Sequence, residues 1–291
     1  IFNLQDTFPK AVDLVVFKVR LPRIIAAVVI GGVLSFAGST FQGIFKNELA
    51  APDILGASAG AGFGAALGIY MKLNFFEIEI EAFIFGMIAV GIVYAISNMS
   101  GRKGDFTLKL ILSGMVISQF FSALISLVQY MADPTNNVQQ AIVFWLMGGL
   151  STLSMDSMLI SFIPIAIGMV VILLLRYKLN VISFGDEEAQ ALGINSKLFT
   201  FIFVMCTTLI TAAAVSVGGV IGWVGLIIPN VTRIIFGADF RKILPISAVI
   251  GGMFLLIVDD IARTAFANDI PIGIFTAIIG GPIFALVLIK E

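Results

Sequence analysis

An all-α polytopic membrane helix bundle is the fold class this sequence predicts, on three observations. Of 291 residues 59% are apolar and 12% charged, with a mean hydropathy of +1.08; soluble domains carry about 25% charged residues. Apolar runs close to the ~20 residues that cross a ~30 Å hydrocarbon core as helix recur along the whole chain. The polar stretches between them are too short for a soluble domain, so residues 1–291 read as a single transmembrane domain.

Taken in order, nine segments qualify: 24–45, 54–71, 82–97, 110–131, 158–175, 198–217, 221–236, 243–262 and 272–289. The first opens after Pro22, a residue suited to a first helical turn because that position needs no N–H donor. The second carries Gly56, Gly60, Gly64 and Gly68 at every fourth place, among Ala57, Ala59, Ala61 and Ala65. A phosphate-binding loop needs Gly-Lys-Ser/Thr, which is missing, so the glycines read as a ridge for close helix packing. The third is free of charge. The fourth sets Ser118, Gln119, Ser122, Ser126 and Gln129 within about a 100° arc at 100° per residue. Such a stripe faces either another helix, as hydrogen-bonding glue, or water.

The stretch 138–150 is too short to cross and holds Phe144 and Trp145, as a short helix near the interface does. After segment 158–175 comes a polar loop, 181–196. Asp186, Glu187 and Glu188 there mark a helix start, where the dipole favours carboxylates; Ala189, Ala191 and Leu192 offer apolar contacts and Gly193 a stop. This is a short surface helix, solvated or docked on a partner. Segment 198–217 contains Cys206, 221–236 is short and contains Pro229, and 243–262 ends on Asp259 and Asp260 with Arg263 just beyond.

Composition excludes several function classes. One cysteine and no histidine leave no disulfide framework, no thiolate metal site, and neither the commonest metal ligand nor the commonest general base. A net charge of −1 provides no basic stripe for nucleic acid. The first 23 residues carry Asp6 and Asp13 and lack the apolar core of a signal peptide. Asp259 and Asp260 could recruit Mg²⁺ for prenyl transfer, yet a second acidic motif is missing and Asp259 can pair with Arg263 at i,i+4. No cofactor, metal or catalytic residue is therefore assigned. An intramembrane lipid or isoprenoid enzyme and an ion-coupled carrier stay as alternatives; a carrier calls for a central intramembrane charge, which these spans nearly lack.

Orientation follows from Lys and Arg. With the C-terminus in the cytoplasm, eleven of the 17 basic residues fall inside: Lys46, Arg102, Lys103, Lys109, Arg176, Lys178, Lys197, Arg233, Arg241, Lys242 and Lys290. Lys10, Lys18, Arg20, Arg23, Lys72 and Arg263 fall outside, and the positive-inside rule selects this arrangement.

Specific motifs add to composition. Arg20-Leu21-Pro22-Arg23 precedes GGVLSFAGSTFQGIFKNELAAPDILGASAGAG from Gly31 to Gly62; FGDEEAQALG runs from Phe184 to Gly193; IGWVGLIIPNVTR, FGADFRKILP, VDDIAR and PIGIFTAIIGGPIFALVLIK follow. In this order, over almost the whole chain, they resemble the permease subunits of ATP-binding-cassette (ABC) importers for ferric siderophores, haem and cobalamin. The resemblance implies the last nine of ten membrane helices, with one missing ahead of Ile1. It also implies a prokaryotic inner-membrane protein working as a permease dimer, identical copies favoured, with two ATPase subunits and an extracytoplasmic binding protein. No reaction occurs on such a chain; a metal chelate crosses it, a siderophore being the most populous cargo.

Residue roles follow from the same resemblance. Arg20, Arg23 and Arg263 match positions that dock the binding protein, for which headgroup snorkelling is the plainer reading. Asn47, Leu49 and Thr107 match an inner gate. Ser118, Gln119, Ser122, Ser126 and Gln129 match a translocation pathway. Gly185, Asp186, Glu187, Glu188, Ala189, Leu192 and Gly193 match the segment that couples to the ATPase. Two positions depart from the family pattern: Glu48 stands where Asn-Pro-Leu-Ala has proline, and Asn230 where a Pro-His pair has histidine.

Overall fold

The computed structural model describes residues 14–99, 106–133, 136–150, 155–265 and 269–290, and every regular element among them is helical. A π-helical lead-in, Leu14–Arg20, runs into α1 (Leu21–Phe45). Then follow α2 (Ala57–Tyr70), α3 (Phe75–Met99), α4 (Phe106–Met131), α5 (Val138–Leu146) and α6 (Met155–Phe184). The chain continues through α7 (Asp186–Ala191), α8 (Ser196–Gly218), α9 (Val224–Phe236), α10 (Phe240–Thr264) and α11 (Ile272–Lys290). Lys10, Arg102 and Lys103 of the orientation argument lie outside the described residues.

Six of these helices are long and apolar enough to cross a membrane: α1 with its lead-in, α3, α4, α6, α8 and α10. The positions 54–71 and 221–236 hold shorter helices than the apolar runs suggest, 14 residues in α2 and 13 in α9. At ~1.5 Å per residue neither reaches ~30 Å. Each is cut short at its start by a residue with positive φ, Gly56 at 81° and Trp223 at 71°. Two helices exceed their apolar runs furthest. α3 begins at Phe75 because Asn74 and Glu77 form a reciprocal capping box: the Glu77 N–H donates to Asn74 Oδ1 and the Asn74 N–H to Glu77 Oε2, both at 3.0 Å. α6 continues past Arg176 and Lys178 to Phe184, since helical hydrogen bonding need not stop where hydrophobicity does.

α1 is the axis of the bundle. Its most apolar window is 78% buried, against 22% in α4 and in α6, and it packs along α10 while also touching α6, α8 and α9. The small-residue ridge of α2 lies on α3, with Gly60 against the backbone of Phe85 and Gly64 against that of Glu81. Gly56 is not part of that ridge: it is the left-handed residue ahead of α2 and faces Ser118 of α4. The two ends of α1, roughly 37 Å apart, define an Arg23 pole and a Lys46 pole, at which the candidate residues gather.

Candidate functional site

At the Arg23 pole a cation is held by two carboxylates far away in sequence. Arg23 Nε donates to Asp259 Oδ1 and Oδ2 at 2.9 and 3.0 Å, Nη2 lies 2.9 Å from Asp259 Oδ1, and Nη1 donates to Asp269 Oδ2 at 2.7 Å. The Asp259 side chain is 3% exposed and that of Arg23 10%, so this is a buried, bidentate pair of the strong kind. One sequence expectation is corrected: Asp259 pairs with Arg23, not Arg263, and the partner of Arg263 is Asp260 at 2.9 Å. Arg23, matched to a docking position, is engaged within the chain. Arg20, on the lead-in, is exposed. A cavity of about 470 Å³ opens beside Arg23 and Asp269, walled by Ile69, Leu73, Phe75, Ile78, Trp145 and Pro271.

At the Lys46 pole α1 ends with Lys46 in left-handed geometry, φ 50°, which turns the chain into the loop 46–56. Asn47 and Leu49 are both exposed there, and the Leu49 N–H donates to Asn47 Oδ1 at 2.8 Å. A cavity of about 280 Å³ is lined by Leu49, Ala51, Asp53 and Ile54 of the loop and by Met115, Ser118 and Gln119 of α4. The structure thus brings one expected gate residue to the start of the expected pathway stripe. Thr107, half-buried at the start of α4, is not among the lining residues of that cavity. Along the stripe Ser118, Ser122 and Ser126 donate to the carbonyls of Gly114, Ser118 and Ser122 on their own helix, at 2.8, 2.8 and 3.1 Å. Gln119, Ser122 and Ser126 are exposed and Gln129 half-buried. The stripe carries no charge; the carboxylate at the cavity, Asp53, belongs to the loop.

The segment after α6 is the short helix its sequence suggests. Gly185, at φ 155°, supplies a backbone turn that a Cβ resists, and Asp186, Glu187 and Glu188 fill the first turn of α7. Gly193, φ 73°, closes it, with its N–H on the Gln190 carbonyl and that of Ile194 on the Ala189 carbonyl. Asp186 accepts from Lys46 Nζ at 3.3 Å and from the Ser196 hydroxyl at 2.9 Å, which ties α7 to the end of α1. The apolar residues divide: Ala189 is buried under the helix, whereas Leu192 is 66% exposed and Phe184 beside it 79%.

Sequence reasoning missed a polar network joining the loop 46–56 to α9. Arg233 Nη1 pairs with Glu48 Oε1 at 2.6 Å and Nη2 donates to Gln42 Oε1 at 2.9 Å. The Glu48 carbonyl accepts from Gln42 Nε2 at 2.9 Å and from Asn230 Nδ2 at 3.0 Å. A second missed cluster anchors the α9–α10 turn: Asp239 accepts from Asn180 Nδ2 at 2.6 Å and from Arg241 Nε at 3.1 Å. The Arg241 and Asn180 hydrogen bonds hold the Asp239 carboxyl well below the usual carboxylate range. A carboxylate replacing an expected proline, and an amide replacing an expected histidine, were the available signals for the first network; neither names a partner.

The helical bundle carries a buried ionic clasp at one pole and, at the other, a cavity of mixed apolar and polar lining and a short helix followed by exposed Leu192, an arrangement compatible with a transport permease. The chain belongs to the FecCD transport family, whose model matches residues 1–290. It is therefore a permease subunit of an ABC importer, not itself an enzyme, and such a permease works with an ATPase and a binding protein. It is 37% identical over 276 residues to the molybdate import system permease protein MolB of Haemophilus influenzae, covering 95% of this chain and 81% of that one. A Helicobacter pylori protein named "Probable iron chelatin transport system permease protein" is 39% identical over 280 residues, covering 96% and 84%. Among solved structures, one described as "An inward-facing conformation of a putative metal-chelate type ABC transporter" superposes with a TM-score of 0.91 at 36% identity, covering 100% of this chain and 92% of that one.

Proposed function

We propose that this chain carries a ferric siderophore inward between two identical copies, driven by two ATPase subunits, with its C-terminus in the cytoplasm. The Arg23 pole is then the outer face and receives the binding protein on Arg20 and Arg263. The Lys46 pole is the cytoplasmic face, where Asn47, Leu49 and Thr107 gate the path and α7 takes the push of the ATPase. The observation that carries this reading is the meeting of the α4 stripe, through Ser118 and Gln119, with Leu49 at one cavity. A bulky chelate must be held weakly to pass, and the hydroxyls and amides of the stripe, beyond the single carboxylate Asp53 at the cavity, suit that where a run of charges would trap it. The iron chelatin relative supports the cargo.

Molybdate is the second reading, favoured by the similarity to MolB. The permease reconstituted with its ATPase and binding protein is given a radiolabelled ferric siderophore and, separately, radiolabelled molybdate. ATP-dependent uptake of the siderophore supports the proposal. Uptake of molybdate with none of the siderophore overturns the cargo and leaves the permease architecture intact.

A further inference from the structure

We propose that Glu48 and Arg233 form a latch holding the loop 46–56 on α9, and that this latch sets where Leu49 sits at the mouth of the cavity. The inference rests on the gate reading above. Farther along, the loop is anchored by buried Ala50, Pro52 and Leu55, with Pro52 against Gly225 of α9 and Leu55 against Gly114 of α4; the stretch before Leu49 is held differently. Lys46 turns out of α1 with φ 50°, and Leu49 is exposed, its N–H capped by Asn47 of the same loop. Between those two residues Glu48 is gripped at both its carboxylate and its carbonyl. Arg233 spends one arm of its fork on Glu48 Oε1 and the other on Gln42 Oε1; Gln42 Nε2 returns to the Glu48 carbonyl, and Asn230 Nδ2 joins it there. The ring closes over α1, loop and α9. Gln42 and Asn230 are buried, and a planar fork bonded on both arms is a fixed anchor where a lysine would be a swivel.

The latch stands between two arms that lead to α7. On one side Asp186 of α7 pairs with Lys46, two residues before Glu48. On the other, α9 passes through Gly237 into Asp239, which Asn180 holds from the last part of α6, the helix that runs directly into α7. A displacement of α7 therefore pulls on the loop through Lys46 while α9 retains it through Glu48, and Leu49 lies immediately beyond that point of shear. Glu48 and Arg233 are positioning residues: they act on Leu49, not on cargo.

The test uses the permease assembled with its ATPase in nanodiscs. Amide hydrogen exchange is measured at Leu49 and Ala50 in the parent, Glu48→Gln, Arg233→Met and the swap Glu48→Arg with Arg233→Glu. In parallel, Leu49→Cys is introduced into each to read disulfide trapping between the two copies with and without nucleotide. The latch predicts exchange about tenfold faster in each single variant, brought back toward the parent by the swap, with nucleotide dependence of the crosslink lost and regained in step. Unchanged exchange in the single variants, or a swap no better than they are, overturns the latch. Faster exchange that the swap reverses, with crosslinking that ignores nucleotide even in the parent, upholds the latch as an anchor and overturns the gate reading beneath it.

Discussion

Arg23 follows Pro22, and at a helix start the dipole costs a cation about 0.3–1 kcal/mol; here the helical lead-in removes that helix end, and the demand for a partner comes from burial, the Arg23 side chain being 10% exposed. Sequence alone cannot say who meets it, because Asp259 lies 236 positions away. The structure supplies the partner within the chain, and this changes what a substitution does. Arg23→Ala leaves the Asp259 carboxylate buried and unmatched, a loss of about 3–5 kcal/mol by comparison with other broken buried pairs. Thermal unfolding in detergent should show a much lower midpoint for Arg23→Ala, partly recovered when Asp259→Leu is added; equal midpoints for parent and single variant would contradict this. Asp239 gives a residue-scale prediction about pH. Its carboxyl is depressed below the ordinary range, so the associated stability is fully present above the unfolded value near ~3.9 and is lost only as pH falls through the lower folded value. The Asp239→Ala variant should therefore be less stable by about 0.5–2 kcal/mol, as for other lost N-caps, with the deficit unchanged between pH 8 and pH 5 in urea unfolding. A deficit that vanished within that window would mean the carboxylate is not the group responsible.

At the scale of elements, what was legible depended on whether the signal was local. The acidic first turn of α7 and its stop at Gly193 are written within a few residues, and the structure has them. The cap of α10, where Asp239 Oδ1 accepts from the Arg241 N–H, and the capping box of Asn74 and Glu77 are equally local but escape a reading that starts the segments where the apolar runs begin, at 243 and 82. The shortness of α9 was partly legible, 221–236 being short and holding Pro229; that of α2 was not, because its apolar run continues through Ile54 while the backbone turns at Gly56 under tertiary packing. The stripe of α4 was visible from spacing, but its meeting with Leu49 depends on how α1, α2 and α4 are arranged. For α7 the consequence is a division of labour that composition concealed. Ala189 is buried beneath the helix and Leu192 stands out from it, so the two apolar residues should respond differently to charge. Leu192→Asp should leave the midpoint of unfolding within about 0.5 kcal/mol of the parent, as exposed sites do, and separate ATP hydrolysis from uptake in proteoliposomes. Ala189→Glu buries an unpaired carboxylate and should loosen α7 itself, seen as faster amide exchange over 186–194. Should Leu192→Asp transport with parental coupling, α7 is a solvated turn and not the contact for the ATPase.

Across the whole molecule, α1 links the two poles: its first turn is clasped by Asp259 and Asp269, and its last residues meet α7 and α9. A protein that docks at the Arg23 pole therefore acts on a rigid strut whose far end is the loop 46–56. The clasp also decides which arginines are available for docking. Releasing Arg23 would leave the buried Asp259 carboxylate unmatched, whereas the Arg263–Asp260 pair is half in solvent and an exposed pair of that kind is worth about 0–1 kcal/mol. Arg20 is exposed on the lead-in. An incoming glutamate or aspartate can thus recruit Arg20 and Arg263 at little expense and gains a planar fork from each. The double variant Arg20→Glu with Arg263→Glu should fold with a parental midpoint, assemble with its ATPase and lose capture of the binding protein. Titrating salt separates docking from headgroup snorkelling: parental capture should weaken steeply between about 50 and 300 mM salt as screening shortens the reach of exposed charges, and the residual capture of the double variant should not. Reversing acidic residues on the binding protein should restore part of the loss in the double variant and none in the parent. Parental capture by the double variant, with the same salt dependence, would leave the two arginines as lipid anchors.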